Sequence, residues 1–247
     1  MQATKTGERI AKYIARAGLC SRREAERLIF AGRVSVNSEK LSTPAFFVEP
    51  HHTIMVDGKP LKSAEPTELW RYHKPPGYIT THHDPQNRTT VFEKIPQSLG
   101  RVISVGRLDL TSEGLLLLTN DGKLSRLLEQ SNWIRKYRVR VFGQPKNRDI
   151  EKLSEGITIN NIKYSPIEAR IDSSTAHNVW LTINLQEGKN REIRKVLEHL
   201  GCQVNRLIRT AYGPFQLGSM KREEIIRIPP KTLREQLSQS GANRRRK

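Results

Sequence analysis

Residues 102–122 read VISVGRLDLTSEGLLLLTNDG. Val102, Ile103 and Val105 are β-branched and apolar, which favours extended backbone, so the stretch opens as a predicted strand. Arg107 and Asp109 follow, two residues apart. On a strand, side chains at that spacing share a face, so the guanidinium and the carboxylate are expected to point the same way. A turn-rich Thr111-Ser112-Glu113-Gly114 leads to four consecutive leucines, Leu115 to Leu118, and Asn120-Asp121-Gly122 closes the stretch. Four leucines bounded by turn signals predict an element buried on both faces. A carboxylate beside such a run, with a cation at hand, is either a structural ion pair or a catalytic group. The spacing alone allows both.

Composition narrows the partner. The 247 residues suffice for one large domain or two unequal ones. Lys and Arg number 43 against 25 Asp and Glu, a net charge of +18 that calls for a polyanion. Nucleic acid comes first. An anionic membrane surface comes second, because no basic amphipathic segment stands apart from the folded elements. No apolar run approaches the ~18 residues of a membrane-spanning helix, and the opening MQATKTGERI lacks the apolar core of a signal peptide. Cys20 and Cys202 each lie beside a helical pattern and are expected as free thiols in a reducing cytoplasm. His51-His52 and His82-His83 lack metal-ligand spacing, so no metal is expected. There is neither a P-loop nor a GxGxxG, so no nucleotide cofactor is expected either.

Residues 8–31 read as two helices. Ile10, Ile14 and Ala17 fall at i, i+4 and i+7 before Gly18. Ser21 and Glu24 have the spacing of a capping box opening the second helix, which turns Ala25, Leu28 and Ile29 inward and ends at Gly32. Arg23 and Arg27 share its other face. Like charges four apart repel unless an anion lies between them, which favours an RNA-backbone contact over a merely solvated face. Arg33 to Asn37 alternates as a strand. Residues 1–62 form this first module, net +5 from eleven basic and six acidic side chains, and 63–68, SAEPTE, read as a linker.

The second domain is expected over 69–230. It starts with a short strand, Leu69 to His73, and the rigid turn Lys74-Pro75-Pro76-Gly77, where Lys74 is either a phosphate contact or part of a stiff connector. Residues 82–101 read as a loop and one short helix, and Lys123–Gln130 as a helix. Residues 135–142 alternate, with Tyr137, Val139 and Val141 on an apolar face and Lys136, Arg138 and Arg140 on a basic one. A helix over 147–153, a hairpin around Asn160-Asn161 and strands over 166–171 and 178–185 follow. In EGKNREIRKVLEHLG (187–201), Ile193, Val196, Leu197 and Leu200 make a core stripe with Arg194 at its edge and Arg191 farther round. Arg194 there is either a snorkelling side chain or a half-buried cation in need of an anion. Gln203–Arg209 reads as a strand studded with Arg206 and Arg209. Short turns between neighbouring strands predict a mixed, mainly antiparallel sheet flanked by helices. Residues 231–247 carry six basic side chains against one acidic and are expected as a disordered basic tail.

These motifs carry a resemblance. GRLDLTSEGLLLLTNDG resembles the central motif of RNA pseudouridine synthases of the RsuA/RluB group. WRYHKPPGYITT, the strand around Tyr137, EGKNREIRKV and NRLIRTAYGPFQLGSM are similar to further motifs of that group, in the same order. SRREAERLIFAGRVSVN resembles the small α-L RNA-binding domain at the front of those enzymes. The resemblance implies an α+β fold: an α-L domain before a catalytic sheet domain with a central cleft. It implies that Asp109 is the catalytic carboxylate and Tyr137 the ring that stacks on a flipped base. Arg194 would sit as the basic residue against the aspartate, and Arg107 is a candidate to fill the gap left by the base. Along the RNA path the candidate contacts are Arg22, Arg23, Arg27, Arg33, Lys74, Lys136, Arg138, Arg191, Arg206 and Arg209. The expected partner is rRNA, large-subunit ahead of small-subunit, with no membrane and no metal; the expected state is a cytoplasmic monomer. A catalytically silent rRNA-binding assembly protein is the alternative that charge and the first module equally permit. A methyltransferase behind the same small domain is disfavoured by the missing glycine-rich cofactor loop.

Overall fold

The computed structural model describes residues 7–244. The chain divides into two compact units. One runs to Glu68 and takes in Pro96–Ile103 and Asn120–Gly122; the other comprises Leu69–Ile95, Ser104–Thr119 and the chain from Lys123.

In the first unit, β1 (Glu8–Arg9) leads directly into α1 (Ile10–Arg16), and α2 (Arg22–Phe30) follows. Next come β2 (Val34–Val36), β3 (Glu39–Lys40), β4 (Phe47–Val48), β5 (Ile54–Val56) and β6 (Lys59–Pro60). Four of these strands form an antiparallel sheet in the order β3-β2-β5-β6, and β1 pairs with β4. The core is the apolar stripe the periodicity marked, with Ile10, Ile14, Ala25, Ile29 and Val34 all fully buried. Ser21 Oγ accepts the Glu24 N–H at 3.1 Å, so the N-cap forms. The carboxylate of Glu24 turns instead to Arg27 at 3.0 Å. Arg27 is therefore already paired, and its repulsion from Arg23 no longer argues for an anion. Arg33 is likewise engaged, donating to both carboxylate oxygens of Asp57 at 2.6 and 2.7 Å. Arg22 and Arg23 stand exposed.

The rest of the chain supplies β7 (Leu69–Lys74), β8 (Ile103–Ser104), β9 (Glu113–Thr119), α3 (Gly122–Glu129), β10 (Arg135–Phe142) and α4 (Asn147–Lys152). It continues with β11 (Ile157–Ile159), β12 (Ile162–Tyr164), β13 (Glu168–Ser174), β14 (Asn178–Leu185), α5 (Glu192–His199), β15 (Gln203–Tyr212), β16 (Phe215–Gln216), β17 (Ile225–Arg227) and α6 (Pro230–Arg244). The main sheet runs β13-β14-β10-β15-β9-β7-β17. Its pairs are antiparallel except β15 with β9, which run parallel through Ile208↔Glu113 and Arg209↔Gly114. The leucine run is the centre of it: every residue of β9 is buried, and Leu115 and Leu117 join Val105, Leu124, Leu128 and Tyr212 in one core cluster.

Three expectations are corrected. The strand expected through Arg107 and Asp109 ends at Ser104. Gly106 takes φ +66°, and the amides of Gly106 and Leu108 donate to side chains, Glu129 Oε1 and Thr80 Oγ1, rather than to a neighbouring strand. Glu113 and Gly114, expected in a turn, already belong to β9. The tail expected as disordered from Lys231 is helical as far as Arg244. Leu233 there is buried in the core cluster and Leu237 packs against it, an apolar pair four residues apart that the surrounding charge obscured. Arg245, Arg246 and Lys247 lie outside the described residues.

Candidate active site

Asp109 lies on the segment between β8 and β9, and each step of that segment is tied down. Glu129 Oε1 accepts the Gly106 N–H at 2.8 Å. Thr80 Oγ1 donates to the Leu108 carbonyl at 2.8 Å and accepts the Leu108 N–H at 3.3 Å. The Gly77 N–H donates to the Leu110 carbonyl at 2.7 Å, and the Ser112 N–H to the Asp109 carbonyl at 3.0 Å. Beneath the loop, the fully buried Lys74 donates from Nζ to the carbonyls of Pro75 (3.0 Å), Asp109 (3.2 Å) and Ser112 (2.8 Å). Three ammonium protons meet three acceptors, which is how a buried charge is tolerated. Burial pulls the Lys74 pKa down to about 8 against the opposing pull of Asp109 and Glu113.

The loop presents the Asp109 carboxylate to a pocket that also gathers Arg107, Tyr137, Lys189, Arg191, Glu192, Arg194 and Arg209. The pocket holds about 160 Å³, far above the ~10–15 Å³ that one water occupies, so it admits a group of several heavy atoms. Two guanidiniums approach Asp109 Oδ2: Arg191 Nη1 at 3.7 Å and Arg194 Nε at 3.9 Å. Neither closes a hydrogen bond, so the carboxylate is neutralised by proximity while its oxygens stay available. Arg194 is held from α5 by donating Nη1 to the Val204 carbonyl at 3.0 Å and Nη2 to the Thr111 carbonyl at 3.4 Å. Burial and then the neighbouring Arg191 lower the Arg194 pKa, with Asp109 opposing them. Arg191 is not on the helix but at its N-cap, in left-handed backbone at φ +52°, which swings its side chain round to Asp109.

Tyr137 reaches the same pocket from β10, 9% exposed. Arg209 enters from β15, 3% exposed, anchored by Nε to the Leu115 carbonyl at 2.7 Å. Its Nη2, like Arg194 Nε, is buried with no hydrogen-bond partner among the described residues. Such donors are costly to leave unmet and suit a ligand with carbonyl acceptors. Glu192 lies on the pocket wall, 3% exposed, accepting the Lys189 N–H at 2.9 Å. Burial, opposed by the Lys189 backbone bond and reinforced by neighbouring Glu187, pushes its pKa up to about 7.

A family described as RNA pseudouridylate synthase matches residues 68–199, and an S4 domain matches 8–54. An RNA pseudouridine synthase of Rickettsia bellii is 46% identical over 91% of this chain and 98% of its own length. The chain belongs to the RNA pseudouridylate synthase family. A ribosomal large subunit pseudouridine synthase B of Pasteurella multocida is 40% identical over 85% of this chain, which spans 64% of that longer protein. A crystal structure of a pseudouridylate synthase superposes with TM-score 0.63 at 24% identity, covering 92% of this chain and 99% of the other, a likeness of fold.

In this synthase the pocket brings together Asp109, Tyr137, Arg194, Arg107, Arg191 and Arg209. Several side chains foreseen as RNA contacts are engaged otherwise. Lys74 is walled off beneath the loop, so it meets no phosphate. Arg209 is too buried to meet a backbone phosphate and serves the pocket instead. Arg206 pairs with buried Glu113, which also takes Arg222 at 2.9 Å; burial works to raise the Glu113 pKa, but these two guanidiniums overcome it and hold it low. Lys136 and Arg138 are exposed on the sheet face turned away from Tyr137. Sequence reading missed Thr80, Glu129 and Glu192, since a threonine or glutamate in a polar stretch gives no signal of a tertiary bond to a distant loop.

Proposed function

We propose that this synthase isomerises a uridine in ribosomal RNA, large-subunit rRNA first, in the cytoplasm, with Asp109 as the acting carboxylate. The observation that carries the reading is a carboxylate flanked by two guanidiniums that make no hydrogen bond to it, in one pocket with a nearly buried tyrosine and unpartnered buried N–H donors. The reaction breaks the N1–C1′ bond of uridine, turns the base and joins C5 to C1′; the C5 proton is lost and one returns to nitrogen. Atoms and electrons balance within the nucleotide, so the isomerisation calls for no co-reactant.

A stacked, paired base must first leave its helix, at a cost of about a few kcal/mol. Stacking on Tyr137, worth ~1–3 kcal/mol, offsets part of that, and Arg209 Nη2 and Arg194 Nε offer donors to the uracil carbonyls. Arg107, exposed at the pocket rim, is suited to occupy the gap in the RNA. Asp109 then acts either as nucleophile at the ribose or as the base that takes a ribose proton. Arg191 and Arg194 present positive charge to it, 3.7 and 3.9 Å from Oδ2. In the first unit, exposed Arg22 and Arg23 supply the RNA-backbone contacts.

Incubation with unmodified large-subunit and small-subunit rRNA fragments, followed by carbodiimide-blocked primer extension, tests this directly. A single new stop in the large-subunit RNA is expected. Stops confined to small-subunit rRNA would overturn the choice of subunit, and no stop in either would overturn rRNA as the substrate.

A further inference from the structure

The alternation of β10 leaves one of its faces unused by the pocket. Tyr137, Val139 and Val141 are buried, while Lys136, Arg138, Arg140 and Phe142 are all exposed on the opposite face. Residues two apart on a strand sit about 7 Å apart, so these four form a straight row along the sheet. The neighbouring strand completes the surface: Arg140 lies opposite Trp180 and Arg138 opposite Thr182 in register. The Arg138 guanidinium lies 4.7 Å over the Trp180 ring, and Phe142, 51% exposed, stacks with His177 at 6.3 Å between ring centres and 27° between planes. Nearby cations are already spoken for, Arg170 by Asp172 at 3.2 Å and Arg206 by Glu113. Among the described residues no ion pair forms on Lys136, Arg138 or Arg140.

Three unpaired cations at strand spacing, with aromatic planes beside them, match the needs of an unpaired nucleic-acid strand: charge along the backbone and flat surfaces for splayed bases. A protein partner would more often ask for an apolar centre and a depleted charge. We infer that the open face of β10 and β14 binds a single-stranded segment of the substrate RNA, separate from the segment that delivers uridine to the Asp109 pocket. The inference rests on the reading that the substrate is a long structured RNA, whose two segments reach the two faces of one sheet and bind with the gain in effective concentration that linkage gives.

The test compares two RNAs and two variants. On a short stem-loop carrying only the target, Arg140→Gln/Phe142→Ser is expected to convert uridine at the wild-type rate. On a long fragment with unpaired flanks, the same variant is expected to bind about tenfold more weakly, the loss that one stacking contact and one phosphate contact give. Lys136→Gln/Arg138→Gln, measured by binding alone, is expected to lower the dependence of log K on log salt by about 1.4, roughly 0.7 per cation on single strands. Equal binding of the long fragment by wild type and both variants would overturn the inference, as would an equal loss on the short stem-loop. Wild-type turnover of the stem-loop, read in the same assay, reports separately on the uridine isomerisation itself.

Discussion

Lys74 holds a charge where solvent does not reach, and its three hydrogen bonds all end on carbonyls that bracket Asp109. Lys74→Met would leave those carbonyls unmet in a dry site, a loss of about 2–4 kcal/mol. The expected outcome is a lower unfolding midpoint in denaturant and a fall in turnover larger than any change in RNA affinity, since the side chain positions the loop and touches no RNA. Glu192 behaves oppositely with pH. Its folded-state pKa, pushed up to about 7, lies above the ordinary carboxyl value of 4.5. The folded state therefore keeps the proton that the unfolded chain has lost, and stability declines as pH rises from about 4.5 to about 7. Glu192→Gln keeps an acceptor for the Lys189 N–H and removes the titration. Its unfolding free energy should match wild type near pH 4 and exceed it above neutrality by roughly 1–2 kcal/mol, read from denaturant curves across pH. The meeting of Asp109, Tyr137 and Arg194 in one pocket was legible because a motif named them together. Arg191 was misplaced because helical periodicity does not foresee a left-handed N-cap, and Lys74 because charge is read by default as facing water.

Among the elements, the parallel junction of β9 and β15 decides where the pocket lies. It brings Gly114 against Arg209, at φ +106°, and a Cβ on Gly114 would fall 2.7 Å from the Arg209 nitrogen and closer still to its carbonyl oxygen. Backbone cannot yield as a flexible side chain does. Gly114→Ala should therefore cost more than about 2 kcal/mol, combining strain at positive φ with a forced separation of strands, and should lower thermal stability and activity together. Leucine packing was plain in the sequence, because four adjacent leucines leave no polar face. The course of 106–112 was not: its amides and carbonyls are met by Thr80, Gly77, Glu129 and Lys74, far away in the chain, and local pattern carries no record of such bonds. The helix Pro230–Arg244 was hidden for a different reason, with two apolar anchors set among mostly polar residues.

At the scale of the whole molecule, the net charge of +18 is a statement about partner and not about chemistry. It would serve an inert RNA-binding protein as well as an enzyme. The distinction lies in whether the carboxylate between Arg191 and Arg194 works on the bound nucleoside. Single-turnover conversion of a target RNA by Asp109→Asn, with binding of the same RNA measured alongside, decides it. Product formation should fall by at least about a thousandfold, the scale of a lost acid–base or nucleophilic group, while affinity stays within about threefold of wild type. Conversion at close to the wild-type rate would contradict a catalytic role for Asp109.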